Sequence, residues 1–165
     1  MGIITEDMRA VVNGQRLGFI ATVCPDGTPN LSPKGTTLVW DADHLVFADI
    51  CSPTTMENLA HNPAIEINVV DPIRRKGYRF KGQARIVTQS DEFTALIAWY
   101  RQQGSSSKIR AVVIVEVTRA APLISPAYDD GAYEDEVSQR WETYYRSLRE
   151  GRGGMHPSEG SNSVS

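Results

Sequence analysis

The sequence predicts a mainly β domain: a small antiparallel barrel with short helices at its periphery. Three observations carry this. Short apolar runs rich in β-branched and aromatic residues recur along the chain, as in LGFIATV (17–23) and AVVIVEV (111–117). Tight-turn signals such as Pro25-Asp26-Gly27 stand between such runs. Helical periodicity is confined to short segments. Closing such strands into a barrel would leave no long edge exposed.

Taken in order, residues 5–13 form a short amphipathic helix, with Met8, Val11 and Val12 on one face and Glu6, Asp7 and Arg9 on the other; Asn13-Gly14 ends it. Residues 17–23 are a strand, and a returning strand runs over 30–40. A turn at 41–44 leads to a third strand over 45–50. Ser52-Pro53 starts a helix, serine as the cap and proline at the first helical position, and Asn62-Pro63 stops it. In 64–70, Ile65, Ile67 and Val69 alternate with Glu66 and Asn68, the pattern of a half-buried strand. A turn-rich connection over 71–77 precedes a strand over 78–88 that Gly82 bends or bulges. Ser90 caps a helix over 90–103 whose apolar face is Phe93, Leu96, Ile97 and Tyr100. A buried strand over 111–117 follows. The last helix, 134–150, sets Val137, Trp141, Tyr144, Tyr145 and Leu148 at helical spacing. Residues 1–150 thus make one domain. The Gly/Ser-rich stretch 151–165, with Met155 and Val164 as its only sizeable apolar residues, is expected to be disordered and dispensable.

Composition narrows the function. With 41% hydrophobic and 22% charged residues the 165-residue chain is ordinary for a soluble globular protein. A net charge of −3 argues against nucleic acid as a partner, and the one tight basic run, Arg74-Arg75-Lys76, reads as a solvated turn. No apolar stretch approaches the roughly 18 residues that a membrane crossing needs. The N-terminus is acidic rather than signal-like, and Glu6 stands where a myristoylation signal needs Ser or Thr. Cys24 and Cys51 lack metal-ligand spacing and read as reduced thiols, so the cytoplasm is the expected compartment. His44, His61 and His156 have no carboxylate or cysteine at ligand or triad spacing and read as surface residues. No P-loop, dinucleotide-binding or nucleophile-elbow motif is present.

The informative stretch is 30–70. It puts Lys34 and a hydroxyl-rich helix start (Ser52, Thr54, Thr55) at opposite ends of one hairpin. A phosphate could be held between them, because a helix N-terminus offers free N–H groups and the positive end of the macrodipole. The ordered series S-P-K-G (32–35), F-A-D (47–49), S-P-x-T (52–55) and N-L-x-x-N-P (58–63) resembles the flavin-binding core of the pyridoxamine 5′-phosphate oxidase-like proteins, the FMN-binding split barrels. The resemblance covers about 18–87 and continues more weakly to Tyr145.

That resemblance implies a split β-barrel homodimer with FMN between the subunits. It places Ser32, Pro33, Lys34, Gly35 and Thr36 beside the flavin ring or phosphate, Lys34 offsetting the negative charge that rises on reduction. Phe47, Ala48 and Asp49 would contact the cofactor from the next strand; the Asp49 carboxylate either accepts a bond from the flavin or ribityl group or caps a neighbouring loop. Where typical members carry two basic residues against the phosphate, this chain has Thr54 and Thr55, so Lys34, Arg79 or Lys81 would have to compensate. Arg79 and Lys81 share one strand face, which is either the ligand side or a solvated one. Tyr128, in Ser125-Pro126-Ala127-Tyr128-Asp129, is a substrate contact or an ordinary packed tyrosine. The implied activity is an FMN-dependent oxidoreductase acting on a small molecule. A non-catalytic flavin or small-ligand binder, or a barrel using a deazaflavin or haem, are the alternatives; haem is the least supported, for want of a histidine in a ligand context.

Overall fold

The computed structural model describes residues 2–151, so most of the predicted tail, including His156, lies outside the described residues. It contains two compact units, one from Met1–Val70 with Gly77–Pro122, the other from Asp71–Lys76 with the chain from Leu123 onward.

In the first unit, α1 (Glu6–Gln15) starts at Thr5, whose hydroxyl accepts from the Met8 N–H. The helix runs past Asn13-Gly14 and ends at Arg16 in the left-handed region (φ 54°). Asn13 is drawn off instead: its Oδ1 accepts from the Val39 N–H at 2.9 Å. Strands β1 (Gly18–Val23) and β2 (Pro29–Lys34) pair from Gly18↔Lys34 to Val23↔Pro29 around Gly27, whose φ of 84° only glycine adopts readily. The single strand expected over 30–40 is two. β2 stops at Lys34, the Thr37 hydroxyl donates back to the Lys34 carbonyl (2.9 Å), and β3 (Leu38–Val39) starts beyond that turn.

The chain continues through β4 (His44–Asp49), α2 (Pro53–His61), β5 (Ala64–Asp71), β6 (Lys76–Val87), α3 (Asp91–Gln102) and β7 (Ala111–Ile124). All seven strands form one antiparallel, curled half-barrel sheet in the order β2-β1-β5-β6-β7-β4-β3, so the barrel is split and β2 and β3 are its edges. The alternation read in 64–70 holds, with Ile65, Ile67 and Val69 buried. They meet Ile20, Leu45, Phe47, Phe80, Val113 and Val115 in the main core. A second cluster joins Leu38, Val46, Val112 and Ile114 to Leu96 and Tyr100 of α3, which Ser90 caps as expected, Oγ accepting from the Phe93 N–H at 3.1 Å.

Two strand expectations change. β7 runs to Ile124 rather than stopping at Val117, its first half paired with β4 from His44↔Glu116 to Asp49↔Ala111. Gly82 marks a close approach of backbones: a Cβ there would lie 2.2 Å from the Glu116 carbonyl oxygen. The Tyr78 hydroxyl bonds the Asp7 carboxylate, tying α1 to β6, and that bond pushes the phenol up to about 12.

The second unit holds the 71–76 connection, the end of β7, a 3₁₀ turn (Pro126–Tyr128) and α4 (Glu134–Arg149). The basic run is not merely solvated. Lys76 and Arg74 reach Glu134 at 2.8 and 3.4 Å, and the Arg75 guanidinium lies 4.2 Å from the centroid of the Trp141 ring. No helix among the described residues is long and apolar enough to cross a membrane.

Candidate functional site

A polar pocket of about 230 Å³ lies between the edge strand β2 and the start of α2, lined by Asn30, Leu31 and Ser32 on one side and Cys51, Ser52, Pro53, Thr54 and Thr55 on the other. Local chemistry builds both walls. Pro53 opens α2 because a first-turn residue needs no N–H donor. Ser52, expected to cap that helix, makes no side-chain cap bond. The cap expectation failed because a non-neighbouring group intervenes: the buried Asp49 carboxylate accepts from the Ser52 N–H at 2.8 Å and holds the turn that enters α2. Of the two roles considered for Asp49, it thus performs the loop cap.

Lys34 ends β2 with only 6% of its surface exposed. Its ammonium bonds the Ser32 hydroxyl, so the charge stands directly behind a pocket-lining group. Burial pushes the Lys34 pKa below the ordinary lysine value, with the Asp49 charge opposing that shift. Thr36 acts as a strand rung in side-chain form: its Oγ1 accepts from the Ala48 N–H (2.9 Å) and donates to the Ala48 carbonyl (3.2 Å). Pro33 and Gly35 are exposed, Thr54 is exposed and Thr55 buried, while Phe47 is wholly within the core.

The structure therefore gathers Ser32, Lys34, Asp49, Ser52, Thr54 and Thr55 in one place. It does not add Arg79 and Lys81, neither of which lines this pocket. Both face outward and clasp Glu66 of β5, Arg79 at 2.9 Å and Lys81 at 3.2 Å, and Lys81 with Glu66 borders a separate groove of about 420 Å³. Tyr128 belongs to the second unit, where its hydroxyl donates to the Arg74 carbonyl (2.6 Å) and Lys76 sits over its ring.

Sequence reasoning missed three polar groups around the pocket, Asn30, Thr22 and Asn58. Only the N-L-x-x-N-P text hinted at the last. It also missed that Asp41 holds His44 Nδ1 at 2.8 Å, an i,i+3 pair at the turn into β4. Among the described residues no group of three His, Cys, Asp or Glu could hold a metal ion. The pocket offers hydroxyls, the free amides of a helix start and one cation behind Ser32. That donor set fits a phosphate, with less charge than two basic residues would bring.

No curated protein matches the chain. The structure of HupZ from Group A Streptococcus is 36% identical, covering 74% of this chain and 95% of that one with a TM-score of 0.67. An FMN-binding protein from Syntrophomonas wolfei (15% identity, 72% of this chain and 85% of that one, TM-score 0.61) shares the fold. So does an F420 reductase (20% identity, 72% and 98%, TM-score 0.57). The sequence profile described as pyridoxamine 5′-phosphate oxidase matches residues 4–123, most of the chain, and with the split half-barrel this establishes that the protein belongs to the pyridoxamine 5′-phosphate oxidase family.

Proposed function

We propose that the protein is an FMN-dependent oxidoreductase acting on a small molecule in the cytoplasm, with the flavin phosphate seated between β2 and α2. The observation that carries this is the pocket itself: Ser32, Ser52, Thr54 and Thr55 converge on the amide end of α2, with the buried Lys34 ammonium behind Ser32. Bound FMN would supply the hydride or electron transfer. The chain's own residues bind and orient: hydroxyls and amides receive phosphate oxygens, Lys34 offsets charge, and Asp49 keeps the α2 entrance in shape. No side chain need act as a strong base, in keeping with a pocket whose lining residues include no histidine or carboxylate. Purified protein is expected to show flavin absorbance and to release FMN on denaturation. A colourless protein that refuses added FMN would defeat the proposal.

A second reading, a non-catalytic binder of another small ligand, is favoured by one observation. Thr54 and Thr55 are neutral where the resemblance expects cations, and Arg79 and Lys81 are engaged with Glu66. Thr54→Arg separates the two. If the phosphate sits at α2, the new cation is expected to tighten FMN by about 1.5–3 kcal/mol, as for a hydrogen bond to a charged group, and to leave riboflavin nearly unchanged. Equal gains for both flavins, or none for either, would move the phosphate elsewhere.

We place a second copy of the chain on the outward face of β1 and β2. Register sets Phe19 beside Pro33, Ala21 beside Leu31 and Val23 beside Pro29, an apolar ribbon on which Leu31 is 66% exposed. Leu31→Lys is expected to convert a light-scattering dimer into an 18.2 kDa monomer at micromolar concentration. A wild-type protein already monomeric there would sink the dimer.

A further inference from the structure

What keeps the pocket's two walls at a fixed separation is not in the pocket. Asn58, one turn after Thr54 and Thr55 on α2, is 1% exposed, and its amide donates to the Thr22 hydroxyl on β1 at 2.9 Å. Thr22, 3% exposed, sits across the β1–β2 ladder from Asn30, whose own amide reaches the same hydroxyl oxygen at 3.4 Å. Asn30 lines the pocket. One buried oxygen is thus shared by the helix wall and the strand wall, and no other side-chain hydrogen bond recorded among the described residues links α2 to Asn30 through a common atom.

We infer that Thr22 and Asn58 are positioning residues that set the aperture between β2 and α2 and so tune how well the pocket closes on an anionic group. The inference rests on the reading of this pocket as the phosphate seat. A shared acceptor suits the task, since the two bonds cannot lengthen independently: pulling α2 outward weakens the Asn58 bond at the oxygen that also orients Asn30. The low dielectric around both residues strengthens each bond and makes a lost partner costly.

Thr22→Val removes the shared oxygen while keeping the side chain's shape, and Thr22→Ser restores it. Flavin fluorescence titrations are expected to show FMN weakened about three- to tenfold by Thr22→Val, the range of one ordinary hydrogen bond, with riboflavin changed by less than about twofold and Thr22→Ser close to wild type. Backbone order parameters in the flavin-free protein are expected to fall together at Leu31, Ser32, Thr54 and Thr55 in Thr22→Val. A lower melting temperature with an unchanged FMN-to-riboflavin ratio would make the pair merely structural and overturn the inference. Wild-type protein that binds no FMN would defeat the cofactor reading by itself; order parameters unchanged on either wall would then defeat this one.

Discussion

Gly82→Val is expected to cost about 3 kcal/mol, the upper end of ordinary overpacking, and to lower the melting temperature by roughly 6–12 °C. The added Cβ would stand 2.2 Å from the Glu116 carbonyl oxygen and 2.9 Å from a Val115 methyl. A backbone carbonyl cannot rotate aside as a side-chain tip can, so β6 and β7 must part, and the core contacts of Phe80, Ala84, Val113 and Val115 loosen with them. Gly14→Ala is the internal contrast. Nothing lies within 4 Å of a Cβ at Gly14, which is inside α1, so alanine there is expected to stabilise by about 0.5–1 kcal/mol. Thermal melts followed by circular dichroism compare the two; equal melting temperatures would contradict the close approach of β6 to β7.

The second large effect sets binding against stability at Lys34. Burial depresses its pKa, so between the folded and the unfolded pKa the unfolded chain holds the extra proton, and stability rises with pH across that window. Below the window the buried charge is a standing cost, which Lys34→Met removes while preserving most of the apolar stem. The variant is expected to melt no lower than wild type at neutral pH, yet to bind FMN about 1.5–3 kcal/mol more weakly. A phosphate favours the protonated amine, so wild-type affinity is expected to fall as pH climbs through the depressed Lys34 pKa, below the usual lysine range, and Lys34→Met should lack that limb. Titrations at a series of pH values read both. An affinity unchanged by the substitution would remove Lys34 from the site.

The parts of this fold legible in the sequence were those fixed by near neighbours. Alternation in 64–70, the Ser90 cap and the apolar face of α3 depend on residues a few positions apart, and all three stand as expected. What escaped depends on partners distant in the chain. The break between β2 and β3 is held by Tyr100, whose hydroxyl donates to the Thr36 carbonyl from 64 positions away. Arg79 and Lys81 face Glu66 because of strand register, which periodicity alone does not supply. The region of the pocket was legible because the ordered motifs of 32–35 and 52–55 survive in the chain. Its cross-tie was not, since Thr22 and Asn58 lie 36 positions apart and neither type is unusual on a strand or a helix.

The edge position of β2 also bears on how this protein behaves when crowded with copies of itself. Pro29, Leu31 and Pro33 alternate along that strand, and a proline inside a sheet is tolerated where its missing donor would have pointed away from the neighbouring strand. On that parity only Leu31 keeps an outward N–H among the three. A foreign strand laid alongside would find too few donors to zip onto, so runaway sheet extension is blocked at the wall that flanks the pocket. The same prolines that guard against fibre growth leave the mouth beside Ser32 accessible to small solutes rather than sealed by another chain's backbone.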